Sequence, residues 1–407
     1  MARTAFEVRA FRRLWAAGLI SDCGDWLLLV ALPLVVLRLT GSALGTAAAY
    51  LLELVPMVVL APVLARVVAR FGGRYLMVGV NVLQAVCLVP LFAVHTARDL
   101  PLTYGVIATQ ATLTGLFEPA KNALLPTLVG PARLVSANAL VGLNLNLARL
   151  IGGPLGGVML AIGHLSLIVA IDIASYLGSA LLVLLTRIPR PERNGAEPSS
   201  GFLTALRAPS LRGVLTVTLV AGIAQGLFLV LFVLFVIRQL HGSDADVGLL
   251  RGVQAIGSIA AGLSLGILSR KLNPRTLVTL GAAAFGALSL IIWNLPQLST
   301  ARTVYVALFI LIGAPGIVLV TGTVTTLQHA TQEAGRGAAF TALGAVNAVG
   351  QGVGLLAGGL VDTGVSLGLL LEIQGGLYVI SAVTALCLVP ARPTTVPLPK
   401  VSVEHAS

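Results

Sequence analysis

Charge is what this sequence has least of. Only 10% of its 407 residues are Asp, Glu, Lys or Arg, whereas 57% are hydrophobic. A soluble domain carries about 25% charged residues and has to cover its own surface with polar groups. The shortage excludes a water-soluble fold and makes lipid the solvent of the apolar surface. Cysteine is scarce too. Cys23, Cys87 and Cys387 all fall inside apolar stretches, with neither metal-ligand spacing nor a pairing pattern, so no metal and no cofactor are expected. The phosphate-cradling G-x-x-x-x-G-K-[ST] loop is absent, which excludes ATP as the energy source. H-E-x-x-H, Cys-x-x-Cys and G-x-S-x-G are absent as well, and no nucleophile–base set replaces them, so no enzyme is expected. Acids are the rarer charge, 15 against 26 Lys and Arg, for a net charge of +11. In a soluble protein that excess would suggest nucleic acid. The aromatic–basic interleaving that binds single strands is missing, and no nucleic-acid partner is expected.

What the chain has in quantity is long apolar runs. A spanning helix needs about 20 apolar residues at about 1.5 Å of rise each. Twelve runs meet that length, at roughly 14–37, 44–65, 75–95, 102–120, 135–162, 165–186, 213–237, 247–269, 276–296, 302–327, 335–361 and 366–390. The first is too long for a signal-peptide core and is followed by no small-residue cleavage site, so it reads as the first span. Barrel strands would alternate polar and apolar residues, which these runs do not do. The expected fold is an all-α membrane protein of 12 transmembrane helices in two pseudo-symmetric six-helix bundles.

Basic residues set the orientation. With the N-terminus inside, 20 of the 26 Lys and Arg fall in inside segments, and only Arg38, Arg98, Arg238 and Arg302 fall outside. Arg149 and Arg251 lie in or at the edge of spans. The expected layout is a cytoplasmic segment 1–13, a first bundle 14–186, a cytoplasmic linker 187–212, a second bundle 213–390 and a cytoplasmic tail 391–407. The linker is rich in Pro, Ser and charge, and its part from 201 to 212 has the pattern of a short surface helix. The halves echo each other at an offset near 201. Arg70 and Arg74 fall opposite Lys271 and Arg275, Gly115 opposite Gly316, Glu53 opposite Gln254, and Gly156-Gly157 opposite Gly358-Gly359. Duplicated halves around a midplane site are a transporter architecture.

Ionisable groups at membrane depth are the sharpest pointer to chemistry, because one at a helix centre costs about 2.5–3.5 kcal/mol on insertion scales. Asp22, Asp25, Glu53, Arg149 and Asp172 occupy such positions. Asp22 and Asp25 share a helix face, and both lie at a depth compatible with Glu53 and Arg149. An acid that alternates between an apolar environment and a cation can load and release a proton. The competing reading is a structural salt bridge between Arg149 and either Asp25 or Glu53. Asn144 and Asn146 are candidate cavity groups, as are Asn138, Gln225, Gln254, Asn347 and Gln351. The second half holds no midplane acid, so coupling chemistry is expected in the first six helices.

Several stretches resemble the major facilitator superfamily, and within it the branch of bacterial drug and macrolide efflux pumps and enterobactin-exporter-like proteins. FRRLW…LISDCGDWLLLVALPLVVLRLTGSALG, with Gly24-Asp25-Trp26, resembles the first helix of that branch. FEPAKNALLPTLV…LVSANALVGLNLNLARLIGGPLGG resembles its fourth and fifth helices. In the loop after the second helix, Arg70, Gly72 and Arg74 match the superfamily's G-x-x-x-D-R-x-G-R-R pattern, but Ala69 replaces the acid. In the family that acid helps to hold the cytoplasmic gate, so a weaker or differently built latch is implied. Gly152, Gly153, Pro154, Gly156 and Gly157 resemble the glycine-proline element of the superfamily's antiporters. It can serve as a hinge-like seal or as ordinary small-residue packing.

The resemblance implies a proton-coupled exporter of small amphipathic molecules, such as antibiotics or natural products, working by alternating access in a bacterial inner membrane. Its expected partners are a small-molecule substrate, protons and the bilayer, with the chain a monomer and both termini cytoplasmic. A siderophore or lysolipid cargo is the alternative within that class. A non-transporting membrane sensor or assembly partner is the alternative outside it.

Overall fold

A computed structural model describes residues 5–71, 73–130, 133–186, 202–268, 273–331 and 336–390. Among these residues the regular structure is entirely helical: α1 (Arg9–Thr40), α2 (Ala43–Val59), α3 (Ala61–Phe71), α4 (Arg74–Leu88), α5 (Leu100–Val129), α6 (Leu134–Ala161), α7 (Leu165–Leu184), α8 (Phe202–Arg207), α9 (Arg212–Leu234), α10 (Asp244–Leu268), α11 (Pro274–Asn294), α12 (Arg302–Ala330), α13 (Arg336–Gly358) and α14 (Leu367–Leu388). Nine described helices are long and apolar enough to cross a membrane, or ten if the bent pair α2–α3 is one span. The other two of the expected twelve are α5 and α6, at 30 and 28 residues. Both reach span length, but polar groups that face the protein interior dilute their apolarity: Gln110, Thr114 and Lys121 in α5, and Asn144 and Arg149 in α6.

The second apolar run is not one straight helix. It breaks by 59° between α2 and α3. Pro62 supplies the reason, because its ring clashes with the carbonyl four residues earlier and disfavours helical geometry at the residue before it. The surface helix expected near 201–212 is present as α8, followed by a single tight turn at Pro209–Leu211. The first part of the linker, 187–201, lies outside the described residues, as do Gly72, Lys271 and the tail 391–407.

Two bundles are built on one plan. In the first, α1 packs on α6 and α7, α4 on α5 and α7, and α2 on α5. In the second, the same plan recurs as α9 on α13 and α14, α11 on α12 and α14, and α10 on α12. Lipid gives no hydrophobic drive for helix association, so close packing at small residues has to supply it. The glycines sit where that requires. A Cβ on Gly152 or Gly156 would lie 2.6–2.7 Å from backbone oxygens of α1, and one on Gly354 would lie 2.1 Å from a backbone oxygen of α9. Arg74 donates to the carbonyl of Thr186 and Arg275 to that of Leu386, each closing the end of its own bundle.

Two seams join the bundles: α6 against α10, and α2 against α13. At the first, Gly153 and Gly157 face Gly248 and Gly252 so closely that a Cβ on Gly157 would lie 2.4 Å from the Asp244 carbonyl. Further bonds between the bundles gather at the end remote from the chain termini. Arg38 pairs with Asp244. Asp362 accepts from the Ser42 hydroxyl at 2.6 Å and from the backbone N–H groups of Ala43 and Leu44 at 3.0 and 2.8 Å, so a carboxylate of one bundle caps the first turn of a helix in the other.

Candidate functional site

The acids of the first bundle converge from separate helices. α1 carries Asp22 and Asp25, α2 carries Glu53, and α7 carries Asp172 and Tyr176. Asp25 and Glu53 both line a cavity of about 290 Å³, together with Trp26, Met57, Gln110, Thr114 and Tyr176. Asp25 accepts a hydrogen bond from the Tyr176 hydroxyl. That hydroxyl accepts in turn from Gln84 Nε2 at 3.3 Å, and Gln84 also donates to the Thr114 hydroxyl at 3.3 Å. A polar relay therefore runs from the cavity into the bundle. Among the described residues no salt bridge closes on Asp25 or Glu53.

Asp172 lies behind this cavity rather than in it. It is fully buried and accepts from the Ser175 hydroxyl at 2.9 Å, while its second oxygen has no partner. Its carboxylate is pressed against Gly24, where a Cβ would come within 2.0 Å of it. That contact explains the glycine beside Asp25. Asp22 is also buried, with one oxygen unpartnered. It lies toward the Glu118–Lys121 ion pair of α5, closed at 2.5 Å.

Arg149 goes elsewhere than the sequence reading placed it. It pairs with neither Asp25 nor Glu53 but reaches across the seam, donating to the Arg251 carbonyl at 3.0 Å and to the Gln254 side chain. The guanidinium stacks over Trp26 on its way. Asn144 and Asn146 do not line this cavity. Asn144 donates to the Trp15 carbonyl at 3.3 Å and ties α6 to α1, and Asn146 donates to Gly142 of its own helix at 3.0 Å.

The antiporter-like glycine element occurs within a continuous helix and presents two faces. Gly152 and Gly156 accept α1, whereas Gly153 and Gly157 accept α10 of the other bundle. Of the gating-loop residues, Arg70 lies over the Phe71 ring, and Arg74 bonds within its own bundle. Gly72 and the Ala69 side chain lie outside the described residues.

Tyr176 and Arg251 join the candidate residues. Tyr176 is the partner of Asp25, and its signal was a tyrosine in an apolar span repeated as Tyr378 in the other half. Arg251 projects from α10 over Phe228 and sits within electrostatic reach of Glu53, Tyr50 and Tyr378. It is a cation inside a span, the same signal that drew attention to Arg149. The charged cluster is thus not confined to the first bundle.

The second bundle has its own cavity, of about 560 Å³. There Tyr378 donates to the Gln225 side-chain oxygen at 3.2 Å. Gln225 and Tyr378 hold the places that Asp25 and Tyr176 hold in the first bundle, at offsets of 200 and 202. The pair is repeated and the acid is replaced by its neutral counterpart.

Known proteins share this fold. The family profile described as Major Facilitator Superfamily matches residues 14–330 and again 214–406. Macrolide efflux protein A of Streptococcus pyogenes is 22% identical over 297 residues, covering 70% of this chain and 73% of its own. Multidrug efflux pump Tap of Mycolicibacterium fortuitum is 26% identical over 301 residues, covering 69% and 73%. Among solved structures, a bacterial homologue of the iron transporter ferroportin in an inward-facing state superposes with a TM-score of 0.72 at 18% identity, covering 93% of this chain and 98% of that one. The POT family transporter PepTSo gives 0.75 at 10% identity, covering 93% and 97%. This chain, a multi-pass membrane protein of two helical bundles, belongs to the major facilitator superfamily of transporters.

Proposed function

We propose that this protein is a proton-coupled exporter of small amphipathic molecules, working by alternating access between its two bundles in a bacterial inner membrane. The observation that carries this reading is the pair of carboxylates, Asp25 and Glu53, lining one cavity with no salt bridge to either among the described residues. An ionised carboxylate is costly in such surroundings. A proton relieves the cost, and so does the positive group of a cargo molecule. Proton and cationic cargo therefore compete for the same oxygens, and that competition is the physical basis of exchange. The efflux proteins among the relatives support the same direction of transport.

Both termini are assigned to the cytoplasm from the distribution of Arg and Lys. On that assignment the bonds of Arg38 and Asp362 join the two bundles at the outer face. Ethidium serves as a test cargo. Added to purified protein in weak buffer, it should release protons, and the release should vanish in Asp25→Asn and Glu53→Gln. Unchanged release in the double variant would sink the coupling reading.

A further inference from the structure

Arg251 is a cation inside a span that has no task in the account so far. Among the described residues its guanidinium makes no hydrogen bond and no ion pair, and it lies over the Phe228 ring at 5.1 Å. The seam holds its backbone instead, because Arg149 donates to its carbonyl at 3.0 Å. Arg149 is itself committed, since its other bond goes to the Gln254 side chain.

A small pocket lies beside Arg251 where two helices of each bundle meet. Trp26 and Leu29 of α1, Tyr50 of α2 and Phe232 of α9 line it with Arg251 of α10. Its volume of about 10 Å³ has room for one water and for no cargo molecule. Arg251 therefore does not stand there as a cargo ligand. The acidic cavity is next door, because Trp26 and Leu29 line both spaces. Tyr50 and Glu53 are three residues apart on one face of α2, with Tyr50 in the small pocket and Glu53 in the acidic cavity. Arg251 lies within electrostatic reach of Glu53. Asp25 has a hydrogen-bond partner in Tyr176, whereas Glu53 has none among the described residues. A guanidinium without an acceptor and a carboxylate without a donor thus occupy adjoining spaces, one supplied by each bundle.

Resting on the export reading above, we infer that Arg251 is the resident counter-ion of Glu53, which it pairs whenever neither a proton nor a cargo cation holds that carboxylate. Its long side chain carries the donors in a fork that suits a carboxylate. The pair joins the second bundle to the first, so it ties the empty carrier together across the seam. A proton or a cargo cation on Glu53 releases Arg251 to Phe228 and frees the bundles to reorient. Arg251 acts through Glu53 and is a positioning residue.

Ethidium binding to the purified full chain tests this. A resident partner that holds Glu53 about nine-tenths of the time weakens an incoming cation about tenfold. Arg251→Gln should therefore bind ethidium about tenfold more tightly, and Arg251→Lys, which keeps the charge, should stay near the unaltered protein. In a Glu53→Gln background the gain should disappear. A gain that persists there would mean plain repulsion between Arg251 and the cargo, and no gain in Arg251→Gln would mean a packing role. Either result would overturn the assignment and leave export standing. Where the Glu53→Gln background binds no ethidium, spin labels on α1 and α9, at the ends remote from the chain termini, decide without cargo. Empty Arg251→Gln should open that end more often than the unaltered protein, and equal opening would overturn the assignment. If Arg251→Gln does not fold, Arg251→Met keeps the stem over Phe228 and takes both measurements. Failure of the unaltered protein to bind ethidium would overturn export and this assignment together.

Discussion

The two bundles share a helix-pairing plan and differ in chemistry. Where the first places Asp25 under Tyr176, the second places Gln225 under Tyr378. Where the first flanks its tyrosine with Gln84, the second flanks it with the Phe285 ring. Duplication kept what packing needs, which is the glycines, the tyrosine and the arginine at each bundle's end. It let go of what a second coupling site would need. The acids that line a cavity belong to the first bundle, and the cavity of the second bundle is lined by uncharged groups among the described residues.

The glycines give the largest contrast between motion and packing. Gly157 lies between bundles and Gly354 within one, and a Cβ at either would meet backbone at 2.4 and 2.1 Å. Overpacking of this kind costs about 1–3 kcal/mol. Gly157→Ala should abolish transport with little change in thermal unfolding, because it wedges a seam that has to move. Gly354→Ala should lower the unfolding temperature instead. The reverse pattern would mean that the α6–α10 seam stays fixed during transport.

A smaller difference is expected between the tyrosines. Tyr176→Phe takes the hydrogen bond from Asp25 and one of two side-chain bonds from Gln84, whereas Tyr378→Phe strands only an amide oxygen. Denaturation in detergent should show a loss of about 1–2 kcal/mol for the first and about 0.6 kcal/mol for the second. Equal losses would show that the acid's hydrogen bond is energetically no different from the amide's.

The smallest effect belongs to the loop before α5. Asp99 accepts from the backbone N–H groups of His95 and Thr96 at 3.1 and 2.8 Å, which hold its carboxyl below the usual carboxylate range. A lowered folded-state value contributes stability above the unfolded value of about 4, and that contribution is lost as the pH falls through the folded value. Asp99→Asn should therefore lower the unfolding temperature slightly at pH 7 and not at all near pH 2. The matching position of the second half, Thr300, has no carboxylate to titrate, and Thr300→Ala should show no such pH dependence.

Most of the fold was legible in the sequence, because spanning a membrane is a demand on length and apolarity that every helix meets locally. The break at Leu60 was not anticipated, although Pro62 announces it. The site was legible in its ingredients and not in its pairings. Asp25 and Glu53 could be placed at one depth, but which neighbour each meets depends on helix rotation and on contacts between distant segments. Arg149 illustrates this: its depth suited the acids, yet its helix turns it toward Gln254 of the other bundle. Asn144 and Asn146 likewise spend their amides on holding helices. Tyr176 becomes conspicuous only when the two halves are set side by side and Tyr378 is seen to match it.

The central claim is that coupling depends on the acids of the first bundle. The direct measurement is transport in proteoliposomes bearing an imposed proton gradient, compared with cargo–cargo exchange without one. For Asp25→Asn/Glu53→Gln, the account predicts loss of uphill transport with exchange of an uncharged cargo retained. For Gln225→Ala, which alters the matching pair of the second bundle, it predicts that uphill transport stays proton-driven. Uphill, proton-driven transport persisting in the double acid variant would contradict it.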